Sequence, residues 1–243
     1  MTTETYQKAV QQLSSTRNGN INFVVIGAMD GVRHDPLTHL ISLNPNWSGL
    51  LVEPVKEMYD KLCLHYEGRA NVTFENCAIG EYTGNALITR VPLTSIKNGI
   101  PDWLDGCSTL MPKRHVISNF QDITVTEEIN VSPLADVLQK HNITDINIFQ
   151  CDTEGYDKVI FDQLMKTYIR PDIIYIEIAY ITVNELTNMI YLLSTQGYTC
   201  TNDSENLVAI KTQEAIMTQV TAKHILVSSL PEAEVLLKLS KEI

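Results

Sequence analysis

The sequence predicts an α/β fold built on a mostly parallel sheet with helices on both faces. Short apolar runs of strand length alternate with amphipathic stretches of helix length along the 243 residues, and this alternation is typical of right-handed βαβ units. The last two apolar runs lie close together, which predicts an antiparallel hairpin at one edge of the sheet. Neither an internal repeat nor a Gly/Ser-rich linker divides the chain. We therefore expect one domain over residues 1–243.

The first part of the chain supplies regular alternation of helices and strands. Strands are identified by β-branched or apolar runs, and helices by apolar positions three and four residues apart. One helix start is marked by Asp35 as the N-cap, with proline at the first helical position. The predicted elements are an N-terminal segment 1–20 with a helix over 3–15, a strand over 21–26, a helix over 35–43, a strand over 49–52, a helix over 56–66, and strands over 72–79 and 86–91.

The pattern breaks between residues 92 and 119. A long irregular stretch inside a compact domain is typical of a functional loop, so we predict a lid or substrate-binding segment there. Regular elements then resume, and a helical tail over 212–243 could dock on the domain or pair with a second copy in a homodimer. The predicted elements are strands over 122–131, 146–150, 172–178, 198–201 and 206–211, and helices over 133–141, 155–168 and 183–195.

Composition limits the partners and the compartment. Acidic residues outnumber basic ones by 29 to 18, which gives a net charge of −11 and argues against nucleic acid or an anionic membrane as a partner. The chain lacks an apolar run of the roughly 18 residues that span a bilayer, and its polar start does not resemble a signal peptide. Five scattered cysteines fit reduced thiols. We expect a cytoplasmic protein without a metal site.

Two strand ends suggest a nucleoside site, because ligands of open α/β sheets bind beyond the carboxyl ends of the strands. Gly27, Ala28 and Gly31 follow the first strand, and small residues there let backbone N–H groups approach a ligand. Glu53 ends the second strand, where a carboxylate can accept both hydroxyl protons of a ribose. The alternative is that the glycines only turn the chain and Glu53 caps the next helix.

The glycine spacing argues against a dinucleotide. A G-x-G-x-x-G motif beginning at Gly27 needs glycine at positions 29 and 32, which are Met29 and Val32. Without this pyrophosphate-binding loop, a nucleoside lacking phosphates is favoured over a nicotinamide cofactor. A nicotinamide-dependent oxidoreductase remains the less favoured enzymatic alternative.

The next strand ends add candidates for the same site. Asn76 and Ala78 follow the third strand, where small residues leave room for an adenine ring, although a plain turn explains them equally well. Asp152 and Glu154 alternate at the end of the strand over 146–150, so their side chains point to one side. Unpaired acids near the interior are costly, which favours a ligand over simple helix capping. Magnesium is disfavoured because one strand supplies too few oxygen ligands.

Four segments together resemble the FkbM family of S-adenosylmethionine-dependent methyltransferases. They occur in the family's order between about residues 21 and 180 and read VVIGAMDGVRHDPL, GLLVEPVKEMYDKL, NCAIGE and IFQCDTEGYDKVIFDQL. The resemblance implies a Rossmann-like class I methyltransferase fold, S-adenosylmethionine as cofactor, and methyl transfer to a hydroxyl oxygen of a small acceptor such as a sugar or a polyketide.

The resemblance also implies residue roles. Gly27, Ala28 and Gly31 correspond to the cofactor loop, Glu53 to the ribose-binding acid, Asn76 and Ala78 to adenine contacts, and Asp152 and Glu154 to the acidic motif at the methyl-donor end. The sequence departs from the family at Val25, often aspartate there, and at Met29, often asparagine. We expect Asp30 to substitute in part by holding the cofactor's ammonium group or a water. These departures keep a non-catalytic scaffold open as an alternative.

The catalytic and acceptor-binding residues follow from the chemistry of methyl transfer. A hydroxyl acceptor needs a general base, and we predict His115 or Asp152 in this role. The alternative for His115 is a surface histidine beside Lys113 and Arg114. His34 is a second histidine candidate, and its alternative is packing or hydrogen bonding near Asp35. Lys113 and Arg114 could bind an anionic acceptor such as a phosphorylated or uronic sugar. Simple solvation of these two side chains explains them equally well.

Overall fold

The computed structural model of the chain describes residues 2–95 and 101–212. The predicted helical tail over 212–243 lies outside the described residues except for its first residue. Residues 96–100 of the predicted lid lie outside them as well.

Regular elements occupy most of the described chain. The strands are β1 (Asn22–Ile26), β2 (Ser48–Val52), β3 (Val72–Glu75), β4 (Ala78–Ile79), β5 (Gly84–Arg90), β6 (Ser108–Thr109), β7 (Val125–Ser132), β8 (Ile148–Cys151), β9 (Ile173–Glu177), β10 (Tyr198–Asn202) and β11 (Asn206–Lys211). The helices are α1 (Thr2–Thr16), α2 (Thr38–Leu43), α3 (Lys56–His65), α4 (Leu134–Lys140), α5 (Asp157–Lys166) and α6 (Val183–Thr195). Short 3-10 helices cover Leu93–Ser95, Asp102–Gly106 and Val116–Ile123.

A seven-stranded sheet forms the centre of the molecule, in the order β10-β11-β9-β8-β1-β2-β3. Its strands are parallel except β11, which is antiparallel to both of its neighbours. The predicted α/β class, with a mostly parallel sheet and an antiparallel edge hairpin, is therefore confirmed. The chain runs outward from β1 to β3 and then resumes at β8 on the other side of β1. This reversal opens a crevice at the carboxyl ends of β1 and β8, where such sheets bind ligands.

Helices cover both faces of this sheet, as predicted. In β1, Phe23 and Val25 pack on one face with buried residues of α1, α2 and α3. Val24 and Ile26 pack on the other face with buried residues of α4, α5 and α6. Each of these four side chains is at most 2 % exposed, and full burial of such a side chain contributes about 1.5–3 kcal/mol. Burial on both faces explains why β1 is a continuous apolar run.

A second, four-stranded sheet has the order β4-β7-β5-β6, and it corrects one predicted strand. The predicted strand over 72–79 is two strands, because the chain leaves the central sheet after Glu75 and β4 pairs with the end of β7. Asn76 fixes this break, since its side-chain amide donates to the carbonyl oxygens of Glu53 and Pro54 at 2.8 and 3.1 Å. The alternating apolar pattern runs through the break and therefore hides it.

The helix predicted to begin at Asp35 begins three residues later, at Thr38. The Asp35 carboxylate still accepts the backbone N–H groups of Leu37 and Thr38, at 2.7 and 3.3 Å. It therefore caps an irregular turn that leads into α2. Within the described residues, no helix combines the length and apolar character needed to cross a membrane.

Candidate functional site

A cavity of about 500 Å³ opens at the carboxyl ends of the central strands. Gly27, Glu53, Asp152 and Glu177 line it, and they lie at or just beyond the ends of β1, β2, β8 and β9. The second sheet and the segment around the 3-10 helix Asp102–Gly106 contribute the remaining wall. The volume falls within the roughly 300–1,000 Å³ typical of small-molecule sites.

The glycine loop after β1 serves close packing more than direct N–H donation. Gly27 has φ +81°, and a Cβ atom there would lie 1.8 Å from the backbone oxygen of Asp152. The N–H groups of Gly27 and Ala28 both donate to the carbonyl of Val52 at 3.0 Å. A Cβ at Gly31 would lie 2.6 Å from Leu62. Of the three loop residues predicted to contact the cofactor, Gly27 lines the cavity, whereas Ala28 and Gly31 are not among its lining residues.

Glu53 is a carboxylate buried at the rim of the cavity, with 3 % of its surface exposed. Its Oε2 accepts the N–H of Met29 at 2.9 Å, and its Oε1 accepts the N–H of Val55 at 2.8 Å. Burial raises its pKa from 4.5 to about 7 despite these two donors. Each carboxylate oxygen retains acceptor capacity, so Glu53 can accept hydroxyl protons from a ligand while it holds the two loops.

An apolar wall lies next to Glu53. Cys77, Ala78 and Ile79 line the cavity at the start of the second sheet, and Val55 and Met58 line it from the α3 side. The predicted adenine contact at Ala78 therefore lies at the cavity. Asn76 is not among the lining residues, since its amide holds the end of β2.

Acidic side chains dominate the other end of the cavity. Asp152, Glu154 and Glu177 line it, and burial raises the pKa of Asp152 and of Glu177, with neighbouring carboxylates as the second cause. The Asp152 carboxylate accepts no hydrogen bond from the described residues, whereas Glu177 accepts the N–H of Glu154 at 3.1 Å. Asp157 fixes the loop by accepting the N–H of Thr153 at 3.1 Å.

The backbone of this acidic loop is strained at Glu154. Its φ is +56°, a left-handed conformation that costs a non-glycine residue of the order of 1 kcal/mol or more. Such strain persists where the surrounding contacts fix it and is common at functional sites. Four of the acids that line the cavity were not predicted as site residues from the sequence: Asp35, Asp105, Glu177 and Glu205. The rule used for Glu53 identifies Glu177, because it is the last residue of an apolar strand.

His115 lies behind Glu154 and is 2 % exposed. Its Nδ1 accepts the N–H of Ile117 at 3.0 Å, so the ring proton is on Nε2, which donates to Glu154 Oε2 at 2.6 Å. The ring also packs against Tyr180, with centroids 4.6 Å apart. Glu154 lines the cavity and His115 is not among the lining residues. Both imidazole nitrogens are therefore engaged in holding the loop.

Cys107, His115 and Glu154 place potential metal-ligand atoms within 4.8 Å of one another. A neutral histidine bound to metal through Nε2 carries its proton on Nδ1, and this proton would meet the N–H of Ile117. This donor set does not fit a metal ion.

The remaining predicted residues lie at different distances from the cavity. The Asp30 carboxylate accepts the N–H groups of Val32 and Arg33 and the Arg33 guanidinium, at 2.8–3.0 Å, and Asp30 is not among the lining residues. Lys113 and Arg114 are exposed and are not among them either. His34 lines the cavity, with its Nε2 3.4 Å from Asp105.

Comparison with known proteins gives one family match. The family described as "Methyltransferase FkbM domain" matches residues 26–200. Among curated proteins, none matches this chain.

Solved structures with related folds are remote in sequence. The fibrillarin pre-rRNA processing protein of Methanococcus jannaschii is 10 % identical over 79 % of this chain, with a TM-score of 0.41. The Aeropyrum pernix fibrillarin, solved with natively bound S-adenosyl-L-methionine, is 10 % identical over 78 %, with a TM-score of 0.41. The match spans 66 % of each fibrillarin chain. The N-terminal domain of human METTL16 is 13 % identical over 85 % of this chain and 68 % of its own, with a TM-score of 0.43.

Proposed function

The chain belongs to the FkbM family of methyltransferases, and from this premise we propose that it transfers a methyl group from S-adenosylmethionine to a hydroxyl oxygen of a small acceptor. A sugar or an alcohol of a secondary metabolite is the acceptor class proposed here. The observation that carries the proposal is the buried Glu53 carboxylate at the cavity rim, between an apolar wall and an acidic end.

The donor groups of the cavity fit this cofactor. Glu53 is placed to accept the ribose hydroxyls, and Cys77, Ala78 and Ile79 offer an apolar surface to the adenine. Asp152 and Glu154 lie where a positive charge is favoured. When bound, the cofactor supplies an activated methyl group on a cationic sulfur. The roles assigned to Glu53, Ala78, Asp152 and Glu154 from the sequence therefore remain part of the proposal.

The chain's contribution to the reaction is orientation and proton transfer. Holding the acceptor oxygen about 3 Å from the methyl carbon and in line with it supplies much of the rate. Asp152 would accept the hydroxyl proton as the acceptor's carbon–oxygen bond forms and the methyl carbon–sulfur bond breaks, because it lines the cavity and its carboxylate accepts no hydrogen bond from the described residues. His115 acts through Glu154, whose carboxylate it positions.

Partner and compartment are part of the same proposal. The net charge of −11 favours a small molecule over nucleic acid or an anionic membrane. The five cysteines are free thiols, which supports a reducing, cytoplasmic compartment. Lys113 and Arg114 are exposed, and an anionic acceptor would need them to reach the cavity mouth.

A two-step experiment tests the function. Thermal unfolding is first followed with S-adenosylmethionine and, separately, with NAD⁺; a ligand at about 100 times its dissociation constant stabilises by about 2.7 kcal/mol. The protein is then incubated with S-adenosylmethionine and a panel of sugars and alcohols, and mass spectrometry detects products heavier by one methylene unit. Binding of the methyl donor together with a methylated product supports the proposal. Stabilisation by NAD⁺ alone would indicate an oxidoreductase, and donor binding without product across the panel would indicate a scaffold.

A further inference from the structure

We propose that Asp35 binds the α-ammonium group of the methyl donor. This inference rests on the proposed function, since it assigns one residue to one end of the same cofactor. The two acids that follow Gly27 differ in orientation. Asp30 is held by Arg33 and backbone N–H groups and is not among the lining residues, whereas Asp35 lines the cavity.

Asp35 lies next to the place that an acid at position 25 would occupy. Val25 of β1 and Gln150 of β8 are register partners, so their side chains leave the same face of the sheet. Val25 is fully buried in the apolar layer and offers no polar atom. The Nε2 atom of Gln150 donates to Asp35 Oδ1 at 3.0 Å. The loop before α2 therefore brings a carboxylate to this face of the sheet, beside the ends of β1 and β8.

A fixed glutamine holds this position. Gln150 is 2 % exposed, and its Oε1 accepts the hydroxyl proton of Tyr6 at 3.0 Å. Burial raises the pKa of Tyr6 well above its usual range, so the phenol keeps its proton and remains a donor. The amide must then direct its N–H₂ group toward Asp35. The Tyr6 ring is itself stacked on Tyr175 at 4.4 Å, which anchors the chain of contacts to α1 and β9.

The second oxygen of Asp35 is left for a ligand. Its Oδ1 accepts from the Gln150 amide and from the backbone N–H groups of Leu37 and Thr38. Asp35 lines the cavity, and none of these three bonds uses Oδ2. Glu53 directly follows β2, and Asp35 is bound by Gln150 near the end of β8, with β1 between these two strands. Adjacent strands are about 4.8 Å apart, so a nucleoside that lies across the end of β1 can reach both carboxylates, with its ribose at one and its amino-acid end at the other.

Isothermal titration of the full chain with two probes tests the assignment. S-adenosylhomocysteine carries the ammonium group, whereas 5′-deoxy-5′-methylthioadenosine has the same nucleoside without the amino-acid end. Asp35→Asn keeps a side-chain oxygen that can accept the N–H groups of Leu37 and Thr38 in the turn before α2, and it removes the charge. We expect it to weaken S-adenosylhomocysteine binding by about 10- to 100-fold, because a hydrogen bond to a charged group is lost. We expect binding of methylthioadenosine to change less than about twofold.

Other variants make the result specific. Glu53→Gln should weaken both probes, because both carry the ribose. Asp60→Asn is the matched control, since Asp60 is exposed on α3 and pairs with Lys56; it should leave both affinities unchanged. Asp30→Asn tests the other acid of the loop.

Four results would overturn the assignment. Equal weakening of both probes by Asp35→Asn would make Asp35 a structural residue, and unchanged binding of both would remove it from the site. Tighter binding of S-adenosylhomocysteine would place the cofactor's carboxylate there. A selective loss with Asp30→Asn would transfer the role to Asp30. If the wild-type chain binds neither probe, the proposed function fails together with the assignment.

Discussion

The imidazole of His115 donates its Nε2 proton to the carboxylate of Glu154 across 2.6 Å. This contact joins a histidine that is 2 % exposed to an acid that lines the cavity. Because the other ring nitrogen accepts the N–H of Ile117, the ring is fixed in one tautomer. His115 is therefore a positioning residue for Glu154, whose backbone is held in a strained conformation.

Replacement of His115 should separate turnover from cofactor binding. His115→Phe removes the donor to Glu154, so we expect turnover of the acceptor found by mass spectrometry to fall by about 10- to 100-fold. S-adenosylhomocysteine affinity should change less than about threefold, since Glu53 remains intact. His115→Gln keeps an N–H donor for Glu154 and should restore part of the turnover and shift the pH–rate profile back toward the wild type. Equal turnover in the Phe and Gln variants would contradict the positioning role.

Glu53 should make cofactor binding dependent on pH near neutrality. Its pKa is raised to about 7, and the ionised carboxylate is the better acceptor for two ribose hydroxyls. Affinity for methylthioadenosine should therefore rise by about tenfold between about pH 6 and pH 8, as Glu53 loses its proton. Titrations at several pH values check this, with Glu53→Gln as the variant that should show a flat profile. A wild-type profile that is equally flat would separate Glu53 from the ribose.

Gly27→Ala should destabilise the fold far more than the same change at a glycine with open space around its Cβ position. A Cβ atom at Gly27 would overlap the backbone oxygen of Asp152 at 1.8 Å, so the end of β8 must move. Gly68 is the matched control, because it has φ +84° and a Cβ atom there would meet nothing within 4 Å. We expect Gly68→Ala to cost about 1–2 kcal/mol for its left-handed backbone, and Gly27→Ala to cost about 1–3 kcal/mol more. Chemical denaturation measures the free energy of unfolding of the two variants. Similar losses in both would contradict the prediction and show that the end of β8 moves at little cost.

The free energy of unfolding should decrease as the pH rises toward neutrality. Burial raises the pKa of Glu53, Asp152, Asp157 and Glu177. At a pH above the ordinary pKa of a carboxyl and below its raised pKa in the folded chain, the folded chain binds more protons than the unfolded chain. The free energy of unfolding therefore falls as the pH rises through that interval. For Glu53 the interval runs from 4.5 to about 7. A shift of one pKa unit corresponds to about 1.4 kcal/mol.

Thermal unfolding without ligand checks this dependence. We expect a higher melting temperature near about pH 5.5 than near about pH 8. Acids with lowered pKa, such as Asp30 and Glu75, act only below their usual range and do not offset the trend. Glu53→Gln should reduce the decrease of the melting temperature with rising pH. A melting temperature that rises steadily from acidic to neutral pH would contradict the raised values.

The sequence predicted most of the central sheet because each buried strand or helix shows as a run or a periodic pattern of apolar residues within one segment. The helix predicted over 183–195 has these bounds in the structure, and the capping box between Thr182 and Glu185 explains its sharp start. The break at Asn76 is not visible in the sequence, because the apolar alternation continues through it. The strand after the break, β4, pairs with β7, which is more than 50 residues away. Long-range pairing of this kind is decided by tertiary contacts.

In the candidate site, too, some residues follow from local sequence patterns and others depend on tertiary contacts. Glu53, Asp152 and Glu154 follow from their positions at strand ends, and all three line the cavity. Asp35 was interpreted as a helix cap, yet its carboxylate both caps the turn and faces the cavity. The contact between His115 and Glu154 joins residues 39 positions apart. A pattern within a single segment does not contain that information.

The separation of the two sheets has a mechanical consequence. Ile88 and Ser108 form part of the cavity wall and belong to the second sheet, whose strands are hydrogen-bonded to one another and not to β1, β2 or β8. Substitutions in this wall can reshape the pocket without breaking a ladder of the central sheet. The pairing of β1, β2 and β8, which positions Gly27, Glu53 and Asp152, is therefore independent of changes at Ile88 or Ser108.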